Sequence, residues 1–143
     1  MIKNYFYLIV GILSILFSFT HAMNGQITVL SLINLSKLDI ETQTTIFYIW
    51  HILSAENFIF GVAFIIMGFH KDLSRVKFAA LMIAFIMISR LLVIFGSILL
   101  KNMNNLTNSL TDFVAIIIFV GLIILGTRKK SSISISTSEK NSQ

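Results

Sequence analysis

Residues 48–69 read YIWHILSAENFIFGVAFIIMGF, and this stretch decides the fold. Its side chains are mostly apolar or small, and Glu56 is its one formally charged group. A helix of about 20 mostly apolar residues is long enough to cross about 30 Å of hydrocarbon. The stretch therefore predicts a transmembrane helix, which we extend at its start to cover residues 45–69.

Three more apolar runs lie on either side of this stretch, at about residues 5–23, 77–100 and 110–127. Because hydrocarbon offers no partner to backbone N–H and C=O groups, such runs cross a membrane as helices. They lack the alternating segments of about ten residues that are typical of barrel strands. The sequence thus predicts an all-α membrane protein, with a bundle of four transmembrane helices within residues 1–130.

The composition supports the same class of protein. Of 143 residues, 56% are hydrophobic and 12% are charged, whereas about a quarter of the residues in soluble domains are charged. The absence of cysteine excludes disulfides and thiolate metal sites. The net charge of +5 comes from cations beside the apolar runs and not from a basic patch interleaved with aromatic residues. We therefore expect the lipid bilayer as a partner and no nucleic acid.

The distribution of basic residues predicts the orientation, because lysine and arginine are enriched in cytoplasmic loops. One side of the predicted bundle holds Lys3, Lys71, Arg75, Lys77, Arg128, Lys129, Lys130 and Lys140. The other side holds Lys37 and Lys101. Both termini should therefore be cytoplasmic, and the loops at 24–44 and 101–111 should face outward.

The segments outside the spans differ in character. The 24–44 loop contains several apolar residues, which predict a short amphipathic element on the membrane surface. The Ser-rich residues 131–143 predict a disordered cytoplasmic tail. A composition rich in Ile, Asn and Lys indicates a bacterial protein, so we expect a multi-pass protein of the cytoplasmic membrane.

The first run has two interpretations. Lys3, the apolar stretch after it and Thr20-His21-Ala22 resemble a signal peptide with a small residue at its cleavage point. However, small and polar residues follow a three-four spacing along the run: Asn4, Tyr7, Gly11, Ser14, Ser18, His21 and Gly25. Membrane helices use such faces for close packing. This stripe favours a retained helix that packs with the stripe inward.

Polar residues inside the spans form the candidate intramembrane polar site: Glu56, Arg90, His51, Asn57, His21 and Trp50. Ionisable groups at bilayer depth are costly and usually face the interior of a bundle. In the second span, a three-four stripe contains Trp50, Ser54, Asn57, Gly61 and Gly68. This stripe is either a helix-packing seam or the wall of a small polar cavity.

Glu56 and Arg90 are predicted to form an ion pair. Each lies seventeen residues from Leu73, the centre of the turn between the second and third spans. In an antiparallel hairpin they therefore share one depth, about 25 Å from the turn. Glu56 projects about 140° away from His51 on an ideal helix and off the stripe. If the stripe faces the third span, Glu56 faces another neighbour.

We predict no metal, cofactor or catalytic site. His21, His51 and Asp112 could all lie in the outer half of the bundle, but no fixed spacing places two of them on one turn. A haem held by His21 and His51 would require histidines at equal depth, and these differ by about 6 Å. The sequence has no His-rich box and no nucleophile with a base at a fixed spacing.

The Trp50-His51 pair, the Gly-containing apolar continuation after it and the basic turn that follows resemble small uncharacterised four-helix integral membrane proteins of bacteria. The resemblance covers about residues 11–126 and implies topology alone. Small multidrug transporters are disfavoured, because they carry a glutamate in the first helix and this chain has no acid there.

Two classes of function remain, with a membrane enzyme as a third and less favoured class behind them. The first is a non-enzymatic bundle that acts through its surfaces, as an accessory, immunity-like or lipid-interacting protein. The second is an oligomeric carrier or channel for protons, ions or a small solute, which would use Glu56, Arg90 and His51. A second copy of the chain or another membrane protein is a possible partner for either class.

Overall fold

A computed structural model describes residues 1–34, 37–101, 106–107 and 109–129. It contains α1 (Tyr5–Asn24), a π-helical segment (Gly25–Val29), α2 (Leu30–Asn34), α3 (Ile40–Phe69), α4 (Leu73–Lys101) and α5 (Leu110–Arg128). Over these residues the chain is helical, without strands, and four of its helical stretches are long and apolar enough to cross a membrane. The all-α prediction with four spans is confirmed, and the predicted tail at 131–143 lies outside the described residues.

The prediction of a loop over residues 24–44 is wrong for most of its length. The helix continues past Asn24 through the π-helical segment and α2, so the first helical stretch runs from Tyr5 to Ile33. α3 begins at Ile40, where the Asp39 carboxylate accepts hydrogen bonds from the Thr42 backbone N–H (2.8 Å) and hydroxyl (2.7 Å). The helices extend beyond the apolar runs, because capping groups and not the limits of an apolar run determine where a helix begins and ends.

The predicted glycine and serine stripes meet where α1 packs against α3. A Cβ atom at Gly11 would lie 2.8 Å from the Gly61 carbonyl oxygen, so the two backbones are too close for larger residues. The Ser18 hydroxyl donates to the Ser54 carbonyl at 2.7 Å. Small residues allow this close approach between membrane helices. We call this contact the α1–α3 seam, and it bears out the prediction that the α1 stripe packs inward.

A packed core fills the half of the bundle near residues 70–72, which we call the turn end. Its buried members come from four helices: Tyr7, Val10, Phe64, Met67, Ala80, Ala84 and Ile123. The Asn4 amide, which is fully buried, donates to the Gly126 carbonyl at 2.8 Å and joins α1 to α5. The backbone N–H groups of Lys3 and Asn4 donate to the Gly68 carbonyl.

The turn between α3 and α4 is short and closed by side chains. The Asp72 carboxylate accepts hydrogen bonds from the Ser74 hydroxyl (2.6 Å) and backbone N–H (3.1 Å), and it forms an ion pair with Arg75 at 3.2 Å. The Ser74 hydroxyl, above all, holds the pKa of Asp72 below its usual value. Beyond the turn, α4 packs mainly against α5 and touches α3 little. The space that this leaves is the candidate site.

Candidate functional site

A cavity of about 460 Å³ lies between the four long helices in the half of the bundle away from the turn, which we call the far half. Its polar lining residues are His21, Asn57, Ser89, Arg90 and Asp112. The other eight lining residues are apolar and include Phe17, Leu53, Phe85 and Ile116. Cavities of this size and character are typical of small-molecule sites.

Arg90 spans the gap between α4 and α3. Its Nη1 donates to Asn57 Oδ1 at 2.9 Å, and its Nη2 forms an ion pair with Glu56 Oε2. The guanidinium also lies 5.5 Å from the centre of the Phe60 ring. The predicted ion pair is therefore present. The Arg90 side chain is 19% exposed and that of Glu56 35%, so the pair does not lie in a sealed core; Arg90 lines the cavity, and Glu56 does not.

The rotation of α3 explains how Glu56 reaches Arg90. The stripe through Ser54 and Gly61 packs against α1 and not against α4. Glu56 lies off this stripe, and this leaves its carboxylate free to face α4. Asn57, which belongs to the stripe, is buried at the edge of the seam and accepts the second hydrogen bond from Arg90. The stripe is thus a packing seam whose edge contributes one polar wall of the cavity.

His21 and Trp50 join α1 to α3 beside the cavity. The Trp50 indole N–H donates to the His21 carbonyl at 2.9 Å, and the two rings stack in parallel with centroids 4.5 Å apart. The indole also contacts Gly25, where a side chain would have no room. Within the described part of the chain, His21 Nε2 is buried and has no hydrogen-bond partner. Asp112, Arg90 and His51 are the charged or titratable groups near enough to interact electrostatically with His21.

His51 does not line the cavity. Its ring packs edge-on against Phe47 with centroids 4.5 Å apart, and its Nε2 is buried without a hydrogen-bond partner among the residues described. The cavity lining thus brings together His21, Asn57 and Arg90; Glu56 joins them through its ion pair with Arg90, and His51 lies to one side. In the same described ranges, no three His, Asp or Glu side chains are close enough to hold a metal ion.

Asp112 is the residue whose place the sequence missed. α5 begins at Leu110, with Ser109 in the capping position and no side-chain cap, so Asp112 does not cap the helix. Asp112 is instead in the first turn of α5, where a negative charge favourably faces the helix dipole. It is exposed and is one of the residues that line the cavity. In the sequence, the only indication of this placement was that Asp112 lies near the start of a span.

No protein-family description, curated protein or solved structure matches the chain.

Proposed function

We propose that the protein is a non-enzymatic, multi-pass protein of a bacterial cytoplasmic membrane that binds a single-chain, lipid-like amphiphile in the far-half cavity. The observation that carries this proposal is the cavity itself. It has about 460 Å³ of space, mostly apolar walls and a polar cluster on one side. This is the lipid-interacting form of the accessory function expected from the sequence.

The chemistry of the lining supports binding over catalysis. The Ser89 hydroxyl donates to the Phe85 carbonyl of its own helix at 2.9 Å, so its proton is already engaged. Arg90 is held by Glu56 and Asn57. A catalytic site requires a nucleophile or acid within reach of an orienting base. Apart from His21 and Asp112, the described lining residues offer mostly apolar surface, which suits a bound hydrocarbon chain.

The proposed orientation places the turn end in the cytoplasm and the far half in the outer leaflet. Lys71, Arg75 and Lys77 lie at or beside the turn, and Lys129 lies 5.0 Å from the centre of the Tyr5 ring at the same end. Trp50, which lies in the far half of the bundle beside the cavity, suits the membrane–water interface, where tryptophan is enriched. An amphiphile from the outer leaflet would then enter with its chain directed inward.

Photocrosslinking tests the proposal. A hexadecanol that carries a diazirine in mid-chain is added to the protein in zwitterionic nanodiscs, irradiated, and its adducts mapped by mass spectrometry. We expect saturable adducts on Phe17 and Ile116, which unlabelled hexadecanol displaces. Ser89→Trp fills the cavity and should abolish them. Ile88→Trp places the same side chain one residue away, at an exposed position outside the lining, and should leave them unchanged. Equal adducts in both variants would contradict the proposal.

The carrier hypothesis remains the second candidate, because an intramembrane ion pair lies beside the cavity. Proton movement along a path needs titratable groups in sequence, and Glu56 is the acid that would serve. Proton flux into proteoliposomes, compared between wild type and Glu56→Gln, distinguishes the two. Flux that is lost in Glu56→Gln would favour the carrier, and absence of Glu56-dependent flux would favour amphiphile binding.

A further inference from the structure

We infer that the amphiphile carries a cationic headgroup, an alkylamine or alkylammonium, with Asp112 as its counter-charge. This inference rests on the proposed function and identifies the chemical class of its ligand. It is carried by the charges that line the cavity and by where they lie along the helices.

The positive charge in the cavity is already neutralised. Arg90 forms an ion pair with Glu56 through Nη2 and a hydrogen bond to Asn57 through Nη1. An anionic headgroup would have to compete with the Glu56 carboxylate for the same guanidinium. Because breaking a partly buried ion pair costs free energy, Arg90 is a poor receptor for an anion in this arrangement.

The negative charge of Asp112 is not neutralised in the same way. Asp112 and Arg90 are the two charged residues of the lining. Among the residues that the structure describes, the Asp112 carboxylate forms no ion pair or hydrogen bond, in contrast to those of Glu56 and Asp72. The first turn of α5 offsets part of its charge through the helix dipole. With Arg90 paired to Glu56, the carboxylate of Asp112, an exposed residue that also lies near His21, is left without an ion-pair partner among the described lining residues.

The arrangement of the lining matches an amphiphile whose headgroup lies at the membrane surface and whose alkyl chain extends into the bilayer. Asp112 is at the outer start of α5, and the α4 wall runs from Phe85 to Ile94, about 13 Å of helix. A headgroup at Asp112 would lie at the membrane surface while the chain extends toward Met87, next to the packed core.

The experiment is a competition series with three amphiphiles that share one alkyl chain and differ in their headgroups. Hexadecylamine, hexadecanol and hexadecyl sulfate each compete with the photoactivatable hexadecanol at pH 7 in zwitterionic nanodiscs. Concentrations are corrected for partitioning into protein-free nanodiscs. We expect hexadecylamine to compete at least tenfold better than hexadecyl sulfate. Asp112→Asn should reduce this ratio to threefold or less, whereas Asp112→Glu and Asp72→Asn, which removes an acid outside the cavity, should retain it.

Each contrary outcome has a distinct meaning. Equal competition by the three headgroups, or an amine preference that survives in Asp112→Asn, would overturn the inference and leave amphiphile binding intact. Stronger competition by hexadecyl sulfate would also overturn it and assign the selectivity to Arg90. Crosslinking that cannot be saturated would instead reject the proposed function. Melting curves of each variant in nanodiscs establish that it is folded before the ratios are compared.

Discussion

The α1–α3 seam and the α3–α4 face use the same helix in opposite ways. Along the seam, Gly11 and Gly61 bring two backbones into contact, and hydrogen bonds such as Ser18 to Ser54 bridge the helices. Across the other face, α3 and α4 separate beyond their turn, and Arg90 spans the gap. Both contacts are between consecutive spans of the chain, yet one is closely packed and the other is not. Small residues, and not chain connection, therefore determine close contact between these helices.

The seam should be the most sensitive part of the molecule. Gly11→Leu inserts a branched side chain where a Cβ alone would lie 2.8 Å from the Gly61 carbonyl, and we expect it to lower the free energy of unfolding by about 3 kcal/mol. Gly121→Leu is the matched control, because nothing lies within 4 Å of a Cβ at that position. Thermal melting in detergent, followed by circular dichroism, measures both. Similar losses for the two variants would mean that the close approach at Gly11 does not stabilise the bundle.

The α3–α4 face should depend on one polar contact. Glu56→Gln and Arg90→Gln each leave a partly buried charge without its partner, and we expect each to cost about 1–2 kcal/mol, less than for a fully buried pair because both side chains are partly exposed. The double variant should be less destabilised than the sum of the two. A double-mutant cycle from melting curves gives the coupling energy. Strict additivity would mean that the ion pair does not hold the face together.

The smallest effect is expected at the turn, where α3 and α4 do touch. The pKa of Asp72 is held below its usual value, so its ionised form is favoured by folding. That contribution is complete above the unfolded pKa of about 4 and is lost as the pH falls through the lower folded value. The difference in melting temperature between wild type and Asp72→Asn should therefore shrink below about pH 4. A difference that stays constant with pH would assign no role to the carboxylate charge.

Periodicity predicted much of the packing. The stripes of α1 and α3 depend on residue type at three-four spacing, and packing follows directly from them: Gly11, Ser14, Ser54 and Gly61 are all buried. The Glu56–Arg90 pair followed from equal distances to the turn. Both features rest on geometry within one helix or one hairpin, which a sequence specifies.

The cavity was harder to predict, because it depends on the rotation and separation of helices that are distant in the chain. Sequence reasoning offered a small polar cavity as one interpretation of the α3 stripe, but that stripe packs on α1, and the cavity is mostly apolar. Asp112 lines the cavity because of where α5 lies, and no residue spacing in the sequence predicted that placement. The helical continuation through Gly25–Val29 was missed because its polar residues resemble a loop.

Thiol accessibility compares the cavity between α3 and α4 with the packed core most directly. The chain contains no cysteine, so a single thiol can be introduced at any position. Ile116→Cys places a thiol in the cavity wall, and Val10→Cys places one in the fully buried core at the turn end. We predict that N-ethylmaleimide at pH 8 modifies Ile116→Cys at least 100-fold faster than Val10→Cys in nanodiscs, and that hexadecanol slows only the Ile116→Cys reaction. Equal rates, or a rate at Ile116→Cys that hexadecanol does not change, would contradict an accessible cavity that binds an alkyl chain.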